Sequence, residues 1–300
     1  MILVDPFRIP RRKISPLDVV LFLLAVTAAF FLVFRVKAVL NYEWNWGAIL
    51  QYLLRYDPEN KIYVPNLLLR GLLTTVKLSI WSTLLGLVMG TIIGLCRMSH
   101  SVFRQLIGRT YVELIRNLPP LVLVFIFYYF LSDQLLAFLR IDHFIESGSA
   151  PMRRVTSFLF APPSLFGAFL SAVITLGLFE GAFMAEIIRA GILSVEKGQW
   201  EAAHALGLSR GQQLRHVILP QAIRRILPPL AGQFISTVKD SAIVSVISIQ
   251  ELTFQAMEVM SATYLTFEIW TTVAVLYLCL TLTLSVLLYR LERYLQTKGT

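Results

Sequence analysis

Charge is scarce in this chain. Only 15% of its 300 residues are Asp, Glu, Lys or Arg, and 56% are apolar. A soluble domain carries about a quarter charged residues. The balance excludes a disordered chain, which needs low hydrophobicity and high net charge, and it argues against a soluble enzyme. Cysteine is nearly missing. Cys96 and Cys279 are the only two, each in or at the edge of an apolar run. They make neither a disulfide framework nor a metal site, and read as small packed hydrophobes. His100, His143, His204 and His216 are scattered through polar stretches, so no nucleophile-base or metal constellation is assembled. There is no Gly-x-x-x-x-Gly-Lys-Ser/Thr phosphate loop and no His-Glu-x-x-His zinc pattern. The chain is therefore expected to be no enzyme and to bind no cofactor itself.

What is present is a set of long apolar runs with basic punctuation. The formal net charge is +9, from 27 Lys and Arg against 18 Asp and Glu. On a soluble protein that excess would suggest nucleic acid. Here it falls in short stretches between apolar runs, as in the cytoplasmic loops of membrane proteins, so lipid and not nucleic acid is the expected contact. Arg8, Arg11, Arg12 and Lys13 precede a run over about 17–34. That run is longer than a signal-peptide core and ends in bulky residues, so it reads as an uncleaved anchor. Further runs cover about 72–96, 112–131, 165–193, 227–249 and 267–289. Six spans with both termini cytoplasmic follow, in a multi-pass, all-α integral membrane protein. Residues 37–66 mix Tyr42, Trp44, Trp46, Tyr52 and Tyr56 with polar residues, which suits the membrane-water interface. Residues 132–163 read as a long mixed loop on the outer side. The five basic residues of 35–70 run against the charge rule there.

Several features within the runs have physical content. Gly86, Gly90 and Gly94 recur every four residues, which puts them on one helix face and lets a neighbour approach closely. Lys77 lies near the outer end of its run and could snorkel. Arg116 and Pro119-Pro120 mark the third run as a kinked segment facing protein or a cavity.

The segment 195–225 is the most distinctive. Gln199 to Leu206 favours helix, and Gly207 is placed to end it in a left-handed cap. Ser209 followed by Gln212 has the form of a capping box, opening a second helix that Pro220 should disturb. Glu201-Ala202-Ala203, with Ala205 beyond, offers a small smooth surface beginning with a charge. A short helix of this kind fits a groove on another protein.

The spacing of this segment carries a resemblance. Glu201-Ala202-Ala203 is followed by Gly207 four positions later and by Leu219-Pro220 twelve to thirteen further on. The pattern resembles the signature loop of ABC-importer permeases, with Val217 where Ile is usual. Ala185-Glu186-Ile187-Ile188-Arg189, Lys197-Gly198-Gln199-Trp200, Ile218 to Arg224 and Gln233-Phe234-Ile235-Ser236 are similar to the polar amino acid branch. So are Thr74 to Ser79 and Tyr111 to Asn117. The likeness covers about 66–296 and leaves 1–65 as a cytoplasmic start, an extra anchor and an interfacial region. It implies a five-helix permease core plus one added N-terminal helix, in a bacterial inner membrane. It also implies partners: ABC ATPase subunits holding ATP and Mg, a second permease subunit (the same chain or a paralogue), and a periplasmic or tethered amino-acid-binding protein. Glu201, Ala202, Ala203, Leu206 and Gly207 would form the ATPase docking helix, with Glu201 meeting a basic group.

Charged groups at membrane depth mark pathways or internal pairs. Glu180 lies mid-run, where it could attract an ammonium group or pair with Arg116 or Lys239. Glu186 and Arg189 read as structural. Lys239 and Asp240 could hold each other or line the pathway, and Arg116-Asn117 could meet a substrate carboxylate. Asn117 matches the acidic amino acid subtype, whereas Glu180 favours a cationic substrate. The expectation is a polar amino acid permease with acidic substrates slightly preferred; the alternatives are basic amino acids or another small solute. A proton-coupled secondary transporter is a rival from another class. It would show inverted repeats, and no internal repeat is present.

Overall fold

The computed structural model describes residues 15–39, 42–139 and 148–297. The chain divides into two units, 1–45 and 46–300.

The first unit contains helix α1, Pro16–Val39. Ser15 and Asp18 cap it reciprocally. The Leu17 N–H donates to Ser15 Oγ (3.3 Å), and the Ser15 N–H donates to the Asp18 carboxylate (2.8 Å). Pro16 fills the first helical position, where no N–H is needed. The single charge of this apolar run therefore lies where the helix dipole favours an anion. The basic start at 8–13 lies outside the described residues.

The second unit begins with a turn of helix, α2, Ile49–Leu53, and an antiparallel pair, β1 Leu54–Asp57 and β2 Ile62–Pro65. Asp57 organises the turn, accepting from the Asn60 side chain (2.9 Å) and the Glu59 N–H (3.1 Å). Those bonds hold its carboxylate below the usual pKa range, the Asn60 bond contributing most. Ile49 is buried, and Tyr52 and Leu53 pack with it against Leu68, Leu252 and Ile269.

Helix α3, Leu67–Arg97, then runs the length of the unit. After it come α4 Val102–Asn117, α5 Pro120–Ile126, a π-helical stretch Phe127–Ser132, and α6 Asp133–Leu139. The expected single kinked span over 112–131 is thus a break. Leu118 and Pro119 are both extended, because a proline pushes its predecessor out of the helical region. The expected loop over 132–163 is also largely helical in its described part, with α6 at its start and α7, Ala150–Leu159, near its end. Pro151 occupies the first turn of α7, with Ser149 extended before it.

Helix α8, Phe166–Leu193, is the most buried element, with α9, Lys197–Ala205, following after a short link. A turn at Arg210–Gln212 and a π-helical stretch Gln213–Ile218 lead into α10, Leu219–Asp240, which continues as a 3-10 turn to Ile247. Pro220 follows directly on the π-helical stretch and lies in the first turn of α10, so the helix that opens at Arg210 is irregular just before the proline, as its missing N–H requires. The last elements are α11, Leu252–Thr263, and α12, Thr266–Thr297.

Four helical stretches among the described residues are long and apolar enough to cross a membrane: Leu67–Arg97, Pro163–Leu193, Arg210–Ile247 and Thr266–Leu291. The two other runs appear as shorter apolar helices, Pro16–Ala28 and Pro120–Leu136. The chain is an all-α membrane protein.

Helices α3 and α8 pack in parallel along a glycine seam. A Cβ at Gly86 would lie 3.2 Å from Gly177 O, one at Gly90 2.7 Å from Met184 Cβ, and one at Gly94 3.0 Å from Ala185 O. Contact registers advance in step on both helices, which fixes the direction. The glycines allow backbone-to-backbone approach where no hydrophobic gain drives helices together in lipid. Helix α10 crosses α8 in the opposite sense, with Gln233 beside Glu180 and Ile226 beside Gly191.

Candidate functional site

The helix α9 is closed at its C-terminal end by backbone chemistry. At its C-terminus the Gly207 N–H donates to His204 O (2.9 Å) and the Leu208 N–H to Ala203 O (3.3 Å). Gly207 has φ +75°. These features make a Schellman cap, and glycine supplies the left-handed residue without a Cβ penalty. The following turn opens on the capping box expected from Ser209 and Gln212: the Ser209 N–H donates to Gln212 Oε1 (2.9 Å). Gln213 is buried and donates to Leu208 O (2.7 Å), and Gln221 reaches Gln199 (3.2 Å). The loop is therefore braced against the start of α10.

Residues 207–211 also spell Gly-x-Ser-x-Gly. A nucleophile elbow joins a strand to a helix and exposes the serine. Here the turn joins two helices and Ser209 caps one of them.

The face α9 presents follows from its anchors. Trp200 packs against the buried cluster that includes Ile188, Val195 and Ile218, and Ala203 is only 2% exposed. Glu201, Ala202 and Gly207 are exposed, as is Leu206 at 79%. Ala203 thus belongs to the anchoring side and not to the free surface.

Deeper in the unit, Glu180 is wholly buried. Its Oε2 accepts from Gln233 Nε2 (2.6 Å), and its Oε1 has no hydrogen-bond partner. Neither Arg116 nor Lys239 pairs with it: the structure brings Gln233 instead. Gln233 also lines a cavity of about 540 Å³, with Arg116, Phe183, Glu186, Ser194 and Arg225 around it. Arg116 lies over the Phe183 ring, 5.8 Å from its centroid. Glu186 is held between Arg97 and Arg189, which supports the structural reading of Glu186 and Arg189. Its negative charge is spent within that cluster, so the uncommitted charge of the cavity wall is positive. Asn117 donates to Glu113 O (2.8 Å) within α4 and is exposed. Among the described residues no ion pair joins Lys239 to Asp240; Lys239 is exposed and Asp240 half-buried.

Sequence reading missed two residues of this interior. Gln233 is uncharged, and its one signal was the family-like run Gln233 to Ser236. Glu251 lies just past the fifth apolar run. It is fully buried at the start of α11 and accepts from the Phe254 N–H (2.7 Å), Tyr277 Oη (2.9 Å) and Thr75 Oγ1 (3.3 Å). It ties α3, α11 and α12 together.

A bundle of apolar helices with glycine-tight packing, a cavity bordered by arginines and a braced exposed helix fits a membrane transport subunit. Residues 82–298 match the family of binding-protein-dependent transport system inner membrane components, and the chain belongs to that family. It is 38% identical over 226 residues to the glutamine transport system permease protein of Escherichia coli (strain K12), covering 74% of this chain and 91% of that one. It is 29% identical over 260 residues to the glutamate/aspartate import permease protein of the same organism, covering 87% and 98%. Among solved structures, one described as an amino acid ABC transporter with histidines aligns at TM-score 0.64 and 34% identity, over 84% of this chain and all of that one. The chain is a transport component of the inner membrane and not an enzyme.

Proposed function

We propose that this chain is the permease subunit of an ATP-driven importer of polar amino acids, with acidic and amide side chains preferred. The observation that carries the transport mechanism is α9: a helix capped at its C-terminus, rooted by Trp200 and Ala203, with Glu201, Ala202 and Leu206 free. In this reading it docks in a groove of a separate ATPase, which holds ATP and Mg. Helix α9 therefore marks the cytoplasmic end, and both termini lie on that side. A second permease subunit, the same chain or a paralogue, completes the pathway, and a periplasmic or tethered binding protein delivers the substrate. Residues 66–296 form the transport element, and 1–65 an addition to it.

The cavity beside Gln233 supports the substrate class. Arg116 presents a guanidinium suited to a carboxylate, and the one acidic wall residue, Glu186, is already paired. Glu180 does not line the cavity and is bonded to Gln233, which does, so it tunes the site from behind. The relatives named for glutamine and for glutamate/aspartate agree with this preference. A basic substrate would require Gln233 to swing away and expose Glu180.

The test is ATP-dependent uptake by the reconstituted complex, with acidic, basic and amide amino acids in competition. Glu201→Lys should abolish uptake while membrane insertion stays normal. Wild-type uptake in that variant would remove the docking assignment, and preferential uptake of basic amino acids would reverse the substrate assignment.

A further inference from the structure

A second cavity, of about 390 Å³, largely apolar with a few polar groups in its wall, lies at the opposite end of the unit from α9. It is walled by the first turns of α3, the segment around 157–169, and residues 248–255. It shares no lining residue with the cavity beside Gln233.

Its chemistry is specific. Two cations reach it, Arg70 and Lys77. Arg70 commits only its Nε, to Pro65 O (2.9 Å), and Lys77 commits one bond, to Ser157 O (2.9 Å). Among the described residues neither has a carboxylate partner, and no Asp or Glu lines the cavity. Nearby Glu251 is occupied by its own donors. Lys77 does not snorkel to bulk water, as its sequence position suggested; it is half-buried and tied to a backbone carbonyl. On the same wall Gln255 is 95% buried, being 5% exposed, and its Oε1 is without a hydrogen-bond partner. A buried acceptor left unpaired costs free energy until a donor arrives. The wall thus offers uncommitted cationic donors and one uncommitted acceptor.

We propose that this cavity is a receiving site for the head group of an α-amino acid. The carboxylate is held by Lys77 and Arg70, and the ammonium donates to Gln255 Oε1. The absence of any acidic lining residue restricts it to neutral and acidic side chains. This proposal rests on the reading of the chain as an amino acid permease. It adds a stage on the outer side, where substrate is held before it reaches the cavity beside Gln233.

The test uses the full complex with its ATPase and binding protein, with Cys96 and Cys279 replaced by serine and Thr74→Cys introduced on the cavity wall. Its modification by a charged methanethiosulfonate reagent is followed with and without L-glutamine or L-glutamate. Either amino acid should slow modification about tenfold, the equivalent of one charge-assisted hydrogen bond. The corresponding amines, lacking the carboxylate, should not. Lys77→Met and Gln255→Leu should each remove the protection, and Lys77→Arg should retain it. A modification rate indifferent to both amino acids in a complex that still transports them would overturn the proposal and leave the parent reading intact. Protection by phosphatidylethanolamine in place of the amino acids would also overturn it, assigning the cavity to lipid. A wild-type complex with no ATP-driven uptake of any amino acid would overturn the parent reading.

Discussion

Gly90→Ala should separate α3 from α8. The added Cβ would lie 2.7 Å from Met184 Cβ, 3.0 Å from Ala185 N and 3.1 Å from Gly181 O. None of these atoms belongs to the movable end of a side chain, so no rotamer change relieves the contact. Ordinary carbon-carbon contact is about 3.5–4.0 Å, so the helices must part by roughly 1 Å. Overpacking of this kind costs about 1–3 kcal/mol. Alanine recovers about 1 kcal/mol of helix propensity over glycine, leaving a net loss of up to about 2 kcal/mol. Gly198 is the control, because a Cβ there meets nothing within 4 Å. Gly198→Ala should therefore be neutral or slightly stabilising. The assay is the unfolding midpoint of the purified complex in detergent, with the two variants compared at equal protein concentration. A Gly90→Ala midpoint equal to or above that of Gly198→Ala would refute the seam as the basis of the α3–α8 contact. Because a Cβ added at Gly86 would lie 3.4 Å from Glu180 Cβ across the same seam, the Gly90 variant should also show altered substrate affinity.

Gly207→Ala forces an L-residue into left-handed backbone at a cost of about 1 kcal/mol, and should weaken co-purification of the ATPase more than Gly207→Asn does. Tyr277→Phe removes one donor from buried Glu251 and should destabilise the complex by about 1–3 kcal/mol; an unchanged midpoint would mean that Glu251 does not join the three helices. Gln233→Leu removes the Gln233 donor from Glu180 Oε2 and should raise the KM for uptake, whereas an unchanged KM would separate the cavity from the carboxylate behind it. Acidification should loosen the Asp57 turn: its carboxylate pKa is depressed in the folded hairpin, so the stabilisation present at neutral pH is lost as pH falls through that lowered value. The check is proteolytic nicking between Asp57 and Ile62 as a function of pH, with Asp57→Ala as the pH-independent comparison.

The periodic parts of this fold were legible in the sequence. The runs at 72–96, 165–193 and 267–289 lie within or almost coincide with α3, α8 and α12, because long apolar stretches have little choice in lipid. The glycine spacing of α3 foretold its seam, and Gly207 and Ser209 foretold the caps of the loop after α9. These are local signals, set by residues a few positions apart. The hairpin at 54–65 was missed although Asp57-Pro58 and Asn60 spell its turn, since aromatic residues around it pointed to the interface. The helix at 150–159 was missed because its two arginines resemble loop composition; Ser149 and Pro151 carried the start signal. Partners of buried charges were not legible. Glu180 meets Gln233 and Glu251 meets Tyr277 across distances in sequence that no spacing rule spans, and the charge scan looked for opposite charges where the structure supplied neutral donors.

The link between α8 and α9 has a mechanical consequence. Only three residues, Ser194 to Glu196, separate the two helices. Ser194 is gripped by Arg225 through its carbonyl, its N–H bonds Ala190 O, and Val195 is 3% exposed. The joint has no slack. Since α8 is locked along its length to α3, a displacement of the nine-residue α9 has no compliant hinge in which to dissipate. In the proposed docking reading it would travel as rotation or translation of a two-helix beam, whose far end carries Arg70 and Lys77.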